Sequence, residues 1–374
     1  MKVPFIDLKP VATLAGAPAL AAWERAVQGT EFVGGPSVAA LETELGRRLG
    51  ARHVVACSSG TDALVVGLQA LGIGPGSKVA LPNLTFWATY EAVAQLGATP
   101  VLVDADAEDL QMDYGDFCRA FERFRFDAAI LVHLMGWASP RLGEFRRFCA
   151  QAGVALLEDG AQSFGVEVDG ESVYQGARMS TLSFYPAKVL GGCMDGGAIL
   201  TDDVALGELA RTLCNHGRAA HYAHARVGWN SRMGGLQAAW LLEMLRHMDQ
   251  VLVRRRELER AHRERLADLA GLVQTFAPPA GVVGNGYLCV CTLRRHEPAP
   301  LAAKLGAAGV GVGRVYPETV AEQPPAREAL RQGELARSRR FCAKVMNLPL
   351  YFGMGAAELD HVHQQLGAVL RAEE

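Results

Sequence analysis

Residues 154–162 read Val-Ala-Leu-Leu-Glu-Asp-Gly-Ala-Gln, an apolar run that ends in two acidic residues and a glycine turn. Apolar residues without alternation indicate a strand buried on both faces. Open α/β sheets bind ligands beyond the carboxyl ends of their strands, which is where Asp159 would lie. A carboxylate buried there requires a cationic partner, because an unpaired buried charge is costly. The alternative is a helix N-cap, and this segment alone supports both interpretations equally.

The alternation of apolar strands and amphipathic helices extends from this segment through the first half of the chain. Strands are predicted at 53–57, 79–81, 100–103, 128–132 and 154–157. Helices are predicted between or before them, at 37–49, 61–71, 87–96 and 141–152. Apolar strands that alternate with helices predict an α/β fold with a mostly parallel sheet covered on both faces.

The last third of the chain has a different pattern. Residues 236–269 are predicted to be helical, and acidic residues interleave with the arginines of 254–265, which is typical of a solvated connecting helix. Strands are predicted at 287–293 and 309–315, and helices at 302–308 and 358–371. We therefore expect an N-terminal arm at 1–30, a large domain at 31–245, and a connecting helix with a small α+β domain at 246–374.

Composition narrows the class of protein. The 374 residues carry a net charge of -3, from 37 basic and 40 acidic residues, which gives no sign of nucleic-acid binding. The N-terminus lacks a signal-peptide pattern, and no apolar stretch has transmembrane length, so we expect no membrane association. The eight cysteines are scattered without a CxxC pair. We expect no metal site, and reduced thiols in a cytoplasmic protein.

Two further segments suggest chemistry. Residues 57–64, Cys-Ser-Ser-Gly-Thr-Asp-Ala-Leu, place small residues between a strand and a helix, where backbone N–H groups favour a phosphate or a simple cap. Residues 183–188, Ser-Phe-Tyr-Pro-Ala-Lys, end in a lysine within an apolar, glycine-rich context. Such a lysine forms either a salt bridge or a Schiff base with a carbonyl compound.

The three segments together resemble those of the fold-type-I pyridoxal-5′-phosphate (PLP) enzymes, with Lys188 standing 29 positions after Asp159. More narrowly, the chain resembles the DegT/DnrJ/EryC1/StrS family of sugar aminotransferases. The similar segments follow one another along nearly the whole chain: 5–8, 32–36, 59–64, 84–86, 132–134, 158–159, 183–188, 228–232 and 347–350. This resemblance implies a large PLP-binding domain with a mostly parallel mixed sheet and a small C-terminal α+β domain.

The resemblance also implies a role for particular residues. Lys188 would hold PLP as a Schiff base and then move the proton between the amino donor and the cofactor. Asp159 would pair with the pyridine nitrogen, and Gln162 would reach the ring hydroxyl. Phe86 would stack on the ring, although an aromatic residue at such a position is commonly ordinary core.

The cofactor's phosphate would be held by residues from two subunits. The resemblance assigns it to the backbone amides of Gly60 and Thr61 and to the hydroxyl of Ser183. Asn230 would reach the phosphate of the neighbouring subunit, which implies a homodimer with shared active sites. The competing interpretation of Asn230 is a cap at the start of a helix.

The implied reaction transfers an amino group from an amino acid, by resemblance L-glutamate, to a keto-sugar, foremost a nucleotide-linked keto-deoxysugar. An aminocyclitol ketone or a sugar phosphate is an alternative acceptor. A non-catalytic, PLP-binding regulatory relative is a further alternative, although it would have little reason to keep Lys188, Asp159, Gln162 and Ser183 together. A dehydratase of this family would carry histidine in place of Lys188.

The chain departs from the family pattern at three places. Cys193-Met194 stand where glycine is common, and Met135 replaces a frequent tyrosine after His133-Leu134. Residues 316–321 read Tyr-Pro-Glu-Thr-Val-Ala, so an acidic residue, Glu318, is added and a usual histidine is missing. The last two changes fall where the resemblance places the acceptor or its phosphates, so they leave the nucleotide-linked acceptor open.

Overall fold

The computed structural model describes residues 1–372. The helices are α1 Lys9–Gln28, α2 Pro36–Leu49, α3 Gly60–Ala70, α4 Trp87–Gln95, α5 Tyr114–Phe124, α6 Leu142–Ala152, α7 Val204–Cys214, α8 Gly235–Leu245, α9 Met248–Leu266, α10 Pro298–Ala307, α11 Ala336–Lys344 and α12 Ala356–Arg371. The strands are β1 His53–Cys57, β2 Lys78–Pro82, β3 Thr99–Val103, β4 Ala128–Val132, β5 Ala155–Asp159, β6 Glu167–Val168, β7 Glu171–Ser172, β8 Ser180–Ser183, β9 Gly197–Thr201, β10 Arg218–Ala220, β11 Ala223–His224, β12 Val273–Thr275, β13 Val282–Val283, β14 Cys289–Leu293, β15 Leu330–Arg331 and β16 Val345–Leu348.

An eight-stranded sheet in the order β1-β9-β8-β5-β4-β2-β3-β15 forms the centre of the molecule. The neighbouring strands β8-β5-β4-β2-β3-β15 all pair in parallel. Strand β9 runs antiparallel to both of its neighbours, β8 and β1. The central strands are buried on both faces, as their unbroken apolar runs require. The predicted α/β fold with a mostly parallel mixed sheet is therefore confirmed.

Helices cover both faces of this sheet. On one face α3 packs with Leu64 and Leu68, and on the other α2 packs with Leu41 and Leu45, each in its own apolar cluster. The leucines of α2 recur at the helical period, which is the pattern that predicts this packing. Between residues 1 and 372, none of the helices has both the length and the apolar character that crossing a membrane would require.

The register of the sheet brings several chain segments to one edge. Asp159 at the end of β5 pairs with Val132 of β4 and with Thr181 of β8. Gly197 of β9 pairs with both Cys57 of β1 and Ser183 of β8. Because β1, β5 and β8 point the same way, their carboxyl ends lie together, and any side chains that follow them can share a site.

The C-terminal part forms a second layer around the antiparallel sheet β12-β14-β16. An apolar cluster of its own lies beneath α9, α10 and α12. Two predictions here are wrong in detail. The helix predicted at 236–269 is divided into α8 and α9 at Arg246-His247. Residues 309–315 form no strand and make only single bridges, from Val310 to Val3 and from Gly313 to Asn347.

Three glycines explain the missing strand. Gly309, Gly311 and Gly313 weaken strand pairing, because glycine loses more backbone entropy than other residues and offers no side chain to pack. The N-terminal residues lie directly against them: a Cβ on Gly313 would lie 2.4 Å from the ring of Phe5. The segment therefore packs on the start of the chain instead of joining a sheet.

The boundaries predicted at residues 30 and 245, between the N-terminal arm, the large domain and the C-terminal part, stay predictions.

A pair of histidines joins α9 to α12. His262 Nδ1 lies 2.9 Å from His363 Nε2, and His262 Nε2 lies 2.8 Å from the carbonyl oxygen of Pro349. His262 can donate to Pro349 and accept from His363 only if its own ring is neutral. Burial lowers the pKa of His262 to about 3 and that of His363 to about 4.

We expect this pair to make the fold sensitive to acid. Below the ordinary histidine pKa of about 6.5 the unfolded chain binds protons that the folded pair excludes. The free energy of unfolding should therefore fall as the pH decreases from about 6.5 towards 4, by up to about 1.4 kcal/mol per pH unit for each histidine. Urea unfolding at pH 5 to 7 measures this slope.

His363→Gln keeps a donor for His262 but removes one titrating ring, so its slope should be shallower than that of the wild type. His247→Gln, at a half-exposed position outside this histidine pair, is the matched control and should keep the wild-type slope. Equal slopes in all three proteins would contradict the prediction.

Candidate active site

The carboxylate of Asp159 is buried at the end of β5, where its residue is 4% exposed. Its Oδ1 accepts a hydrogen bond from the Ala161 amide at 3.0 Å, and its Oδ2 accepts one from the Thr89 hydroxyl at 3.2 Å. Within residues 1–372 it forms no ion pair. Burial raises the pKa of this carboxyl group, and these hydrogen bonds and the charge of Lys188 only partly oppose that effect. A cation that enters the site would stabilise the ionised form.

Lys188 lies in the turn that connects β8 to β9. Its backbone N–H donates to the Tyr185 carbonyl at 2.8 Å, and the turn closes so tightly that a Cβ on Gly191 would lie 2.3 Å from the carbonyl oxygen of Pro186. The amine is half-buried, 5.3 Å from the centre of the Tyr287 ring. In the described chain it forms no ion pair, so the salt-bridge interpretation has no support and the amine is free for covalent chemistry.

The first turn of α3 provides the expected anion cradle. Ser59 is the N-cap, and its hydroxyl accepts a hydrogen bond from the Asp62 amide at 3.0 Å. The Gly60 and Thr61 amides precede the first intrahelical hydrogen bond, which runs from Ala63 to Ser59, so they are available to an anion.

Ser183 lies directly against this turn. A Cβ on Gly60 would be 2.7 Å from the Ser183 Cβ and 3.0 Å from its Oγ. Only a glycine allows β8 to approach the helix so closely. The fold thus places the Ser183 hydroxyl beside the free amides.

Gln162 lies one turn beyond Asp159 and is held from both sides. Its Oε1 accepts a hydrogen bond from the Met135 amide at 2.7 Å, and its Nε2 donates to the Tyr316 hydroxyl. Met135 and Tyr316 each have a positive φ angle of 65°. Only a few per cent of non-glycine residues adopt such a conformation. The two departures from the family pattern, around Met135 and Tyr316, therefore meet at the same side chain.

Phe86 is not part of the core. It precedes α4 as its N-cap, and its residue is 61% exposed. Together with Trp87 and Tyr316 it lines an open cleft of about 360 Å³, in which Glu318 is the one acidic residue and no basic residue takes part. An exposed aromatic side chain at the edge of the sheet is suited to cover a planar ligand.

Asn230 is the predicted site residue that the fold does not bring to the others. It lies on the exposed segment 215–232 and forms a single bridge with Asn215. Its neighbour Ser231 contacts the cradle, since the hydroxyls of Ser231 and Ser58 lie 2.9 Å apart. The Asn230 side chain makes no hydrogen bond to the site residues within the described chain.

Two features of the site were not predicted. Thr89 donates to Asp159 from α4, and the only signal in the sequence is its spacing of four residues from Thr85. A buried network stands behind the carboxylate: Glu158 lies 2.8 Å from Arg146 and 3.1 Å from His133. Burial opposes the ionisation of Glu158, but the hydrogen bonds from His133 and Arg146 prevail and lower its pKa.

The residues fit PLP closely. Among the residues that the structure describes, no cation pairs with the buried carboxylate and no carboxylate pairs with the half-buried lysine. Free helix amides lie beside a serine hydroxyl, and the ring of Phe86 is exposed. Thr181, which pairs with Asp159 in the sheet, adds a buried hydroxyl that has no partner in residues 1–372. This combination on a mostly parallel α/β sheet is typical of a PLP-dependent enzyme.

Comparison with known proteins identifies the family. The chain belongs to the DegT/DnrJ/EryC1/StrS aminotransferase family, whose model matches residues 16–367. It is 35% identical to a dTDP-3-amino-3,4,6-trideoxy-alpha-D-glucose transaminase of Streptomyces venezuelae, over 93% of this chain and 91% of that protein. It is 33% identical to a UDP-2-acetamido-2-deoxy-3-oxo-D-glucuronate aminotransferase of Pseudomonas aeruginosa, over 93% and 95% of the two chains.

A solved structure supports the same conclusion. A Bacillus subtilis protein crystallised with the cofactor PMP superimposes with a TM-score of 0.90 at 27% identity, over 99% of this chain and 85% of that chain. PLP is accordingly the cofactor of this aminotransferase.

We expect Gly60→Ala to weaken PLP binding while the protein remains folded. The added methyl group must displace Ser183 and so move its hydroxyl away from the phosphate. Loss of one hydrogen bond to a charged group costs about 1.5–3 kcal/mol, which corresponds to roughly 10- to 150-fold in affinity. Titration of the apoprotein with PLP measures the change. Gly74→Ala, at a position with open space around the Cβ, is the control and should bind like the wild type. Equal affinities of the two variants would contradict the assigned cradle.

Proposed function

We propose that this aminotransferase moves the amino group of L-glutamate to the carbonyl carbon of a keto-sugar, foremost one carried on a nucleotide. The observation that carries the proposal is the buried, cation-free carboxylate of Asp159 on the same sheet edge as the unpaired amine of Lys188. Membership of the family and the two nucleotide-sugar relatives support the choice of acceptor.

The residues divide the work of holding the cofactor. Asp159 keeps a negative charge opposite a protonated ring nitrogen, and Gln162 reaches the ring hydroxyl. The amides of Gly60 and Thr61 and the hydroxyl of Ser183 hold the phosphate. When bound, PLP supplies an electron sink for the carbon atom that gains or loses a proton.

Lys188 and Phe86 complete the site from opposite sides. The Lys188 amine would attach the cofactor and, once released, move a proton from the donor's Cα to the cofactor. During amination of the acceptor it would move a proton in the reverse direction, from the cofactor to the former carbonyl carbon. The Phe86 ring covers one face of the cofactor and excludes water from it.

The cleft beside Phe86 is the proposed place of the sugar ring. Trp87 and Tyr316 offer apolar walls, and the Glu318 carboxylate can accept hydrogen bonds from sugar hydroxyls. Because no basic residue lines this cleft, phosphates of the acceptor need cations from elsewhere. The lack of a cation also favours the second candidate, an aminocyclitol ketone, which carries no phosphate.

A homodimer with shared active sites would supply the cations that the acceptor's phosphates need. Segment 215–232 is exposed, contains no acidic residue and carries three arginines, Arg218, Arg226 and Arg232. Tyr222 and Val227 on this segment are 84% and 86% exposed, which suits a surface that a second subunit covers. In this proposal Asn230 reaches the phosphate of the cofactor in the partner subunit.

All eight cysteines are free thiols, in keeping with the proposed cytoplasmic location.

The first test follows the donor half of the reaction. The purified protein with PLP should show a visible absorption band that L-glutamate converts to that of the pyridoxamine form. Lys188→Ala and Lys188→Arg should lack the lysine-dependent band, because neither side chain offers a primary amine; the arginine also retains the positive charge. Lys9→Ala, at an exposed position, should behave as the wild type.

The acceptor is then identified with the pyridoxamine form. A nucleotide-linked keto-sugar, a keto-sugar phosphate and an aminocyclitol ketone are added separately, and return of the original band with an aminated product in the mass spectrum marks the substrate. Turnover of the cyclitol ketone alone would replace the nucleotide-linked acceptor. A protein with no lysine-dependent band would favour a non-catalytic role.

Mixed dimers test the shared site. When Lys188→Ala and Asn230→Ala subunits are combined, one site of each mixed dimer contains both changes and the other contains neither. We expect the mixed dimer to recover about half of the wild-type activity, although each parent is impaired, because intact sites turn over independently. Purification with two different tags isolates the mixed dimer for the assay. If Asn230 acts within its own subunit, both sites carry one change and no activity returns.

A further inference from the structure

Two buried threonines connect the segment of Phe86 to the carboxylate of Asp159. The hydroxyl oxygens of Thr85 and Thr89 lie 2.8 Å apart, and that of Thr89 lies 3.2 Å from Asp159 Oδ2. Thr85 is 5% exposed and Thr89 1% exposed, so water does not compete for these hydrogen bonds. The three groups form a continuous chain through the interior of the protein.

The direction of the hydrogen bonds in this chain follows from the number of protons. An ionised carboxylate can only accept hydrogen bonds, so Thr89 must donate its single hydroxyl proton to Asp159. The oxygen of Thr89 is then an acceptor for the hydroxyl proton of Thr85. Both O–H dipoles consequently point towards the carboxylate, and each strengthens the other.

We propose that Thr89 is a positioning residue that holds the Asp159 carboxylate ionised and oriented for the ring nitrogen of PLP, with Thr85 as its support. The proposal rests on the role proposed above for Asp159. It makes the first turn of α4 part of the cofactor site.

The local geometry favours this role over an ordinary helical threonine. A threonine hydroxyl within a helix commonly bonds a carbonyl oxygen one turn earlier. Thr89, in the first turn of α4, directs its hydroxyl to Asp159 instead, while its backbone N–H donates to the Phe86 carbonyl at 3.2 Å. One helical turn therefore contacts both the Asp159 carboxylate and the segment that carries the aromatic side chain of Phe86.

A substitution can remove the Thr89 hydrogen bond to Asp159 without changing the other groups that act on this carboxylate. Within residues 1–372 the other hydrogen bond to the Asp159 carboxylate comes from a backbone amide, that of Ala161. The remaining titratable and charged groups act on Asp159 through space or through the network behind it, and the Thr89 substitution leaves all of them in place: Lys188, His133, Glu158, Arg146, Tyr174 and Tyr316. Burial raises the pKa of Asp159, and the Thr89 hydrogen bond is among the effects that oppose this rise.

The decisive measurement is the titration of Asp159 in the cofactor-free protein. Carbon-13 NMR of the protein labelled at aspartate carboxyl carbons gives the signal, and Asp159→Asn assigns it. Thr89→Val, which replaces the hydroxyl by a methyl group, should shift the titration to higher pH. Thr85→Val should shift it less, and Thr89→Ser, which keeps the hydroxyl, should restore the wild-type curve.

The affinity for PLP provides the second measurement. A hydrogen bond to a charged group contributes enough to change a dissociation constant roughly 10- to 100-fold, so Thr89→Val should bind PLP about tenfold or more weakly and Thr89→Ser should not. Thermal unfolding checks that the variants are folded. If Thr89→Val does not fold, the titration and the PLP affinity are measured on Thr85→Val instead.

Two results would overturn the proposal. One is a valine variant with wild-type titration and PLP affinity, and the other is a serine variant as impaired as the valine variant. Neither measurement requires turnover. A protein that aminates no keto-sugar but shows the shifted titration would disprove the proposed function alone, whereas normal aminotransfer with an unmoved titration would disprove the role of Thr89 alone.

Discussion

The carboxylate of Asp159 is removed from water, and no residue in the described chain pairs with its charge. A fold can tolerate such a group only if something else compensates it, because the desolvation of a lone carboxylate amounts to several kcal/mol. Two hydrogen bonds supply part of the compensation, and in the proposed function a cationic ligand would supply the rest. The arrangement of β5, α4 and the lysine turn is best understood as the means of keeping this one position both dry and accessible.

The contrast with Glu158, the preceding residue, shows how specific the arrangement is. Adjacent residues in a strand point to opposite faces, so the two carboxylates face different surroundings. Glu158 meets Arg146 and His133 and is fully compensated by protein groups. Asp159 meets only uncharged donors at hydrogen-bond distance. The first forms a structural ion pair within the protein, whereas the second is the carboxylate that we propose pairs with the cofactor.

Much of the fold and of the candidate site was predictable from the sequence. The unbroken apolar runs predicted five of the eight strands of the main sheet, β1 to β5. Asp159 and Ser183 end the neighbouring parallel strands β5 and β8, and Gly60 and Lys188 follow β1 and β8, so all four lie at one edge of the sheet. Segment 309–315 was mispredicted because its apolar alternation hides glycines that pack against the N-terminus. Thr89 was not predicted because a threonine in an apolar helix has no distinctive pattern, and its partner lies 70 residues away. The position of Asn230 relative to a partner subunit lies beyond what one chain determines.

The strand order has a consequence for how the protein is made. Strand β9 lies between β1 and β8, although 139 residues separate the end of β1 from the start of β9 in the chain. Pairing between such distant segments closes long loops and is slow to form. A chain leaving the ribosome therefore cannot complete the cradle around Gly60 and Ser183 until β9 has been synthesised and inserted. Cofactor capture then comes late, and PLP acts as a ligand that stabilises the finished sheet instead of a template that guides its assembly.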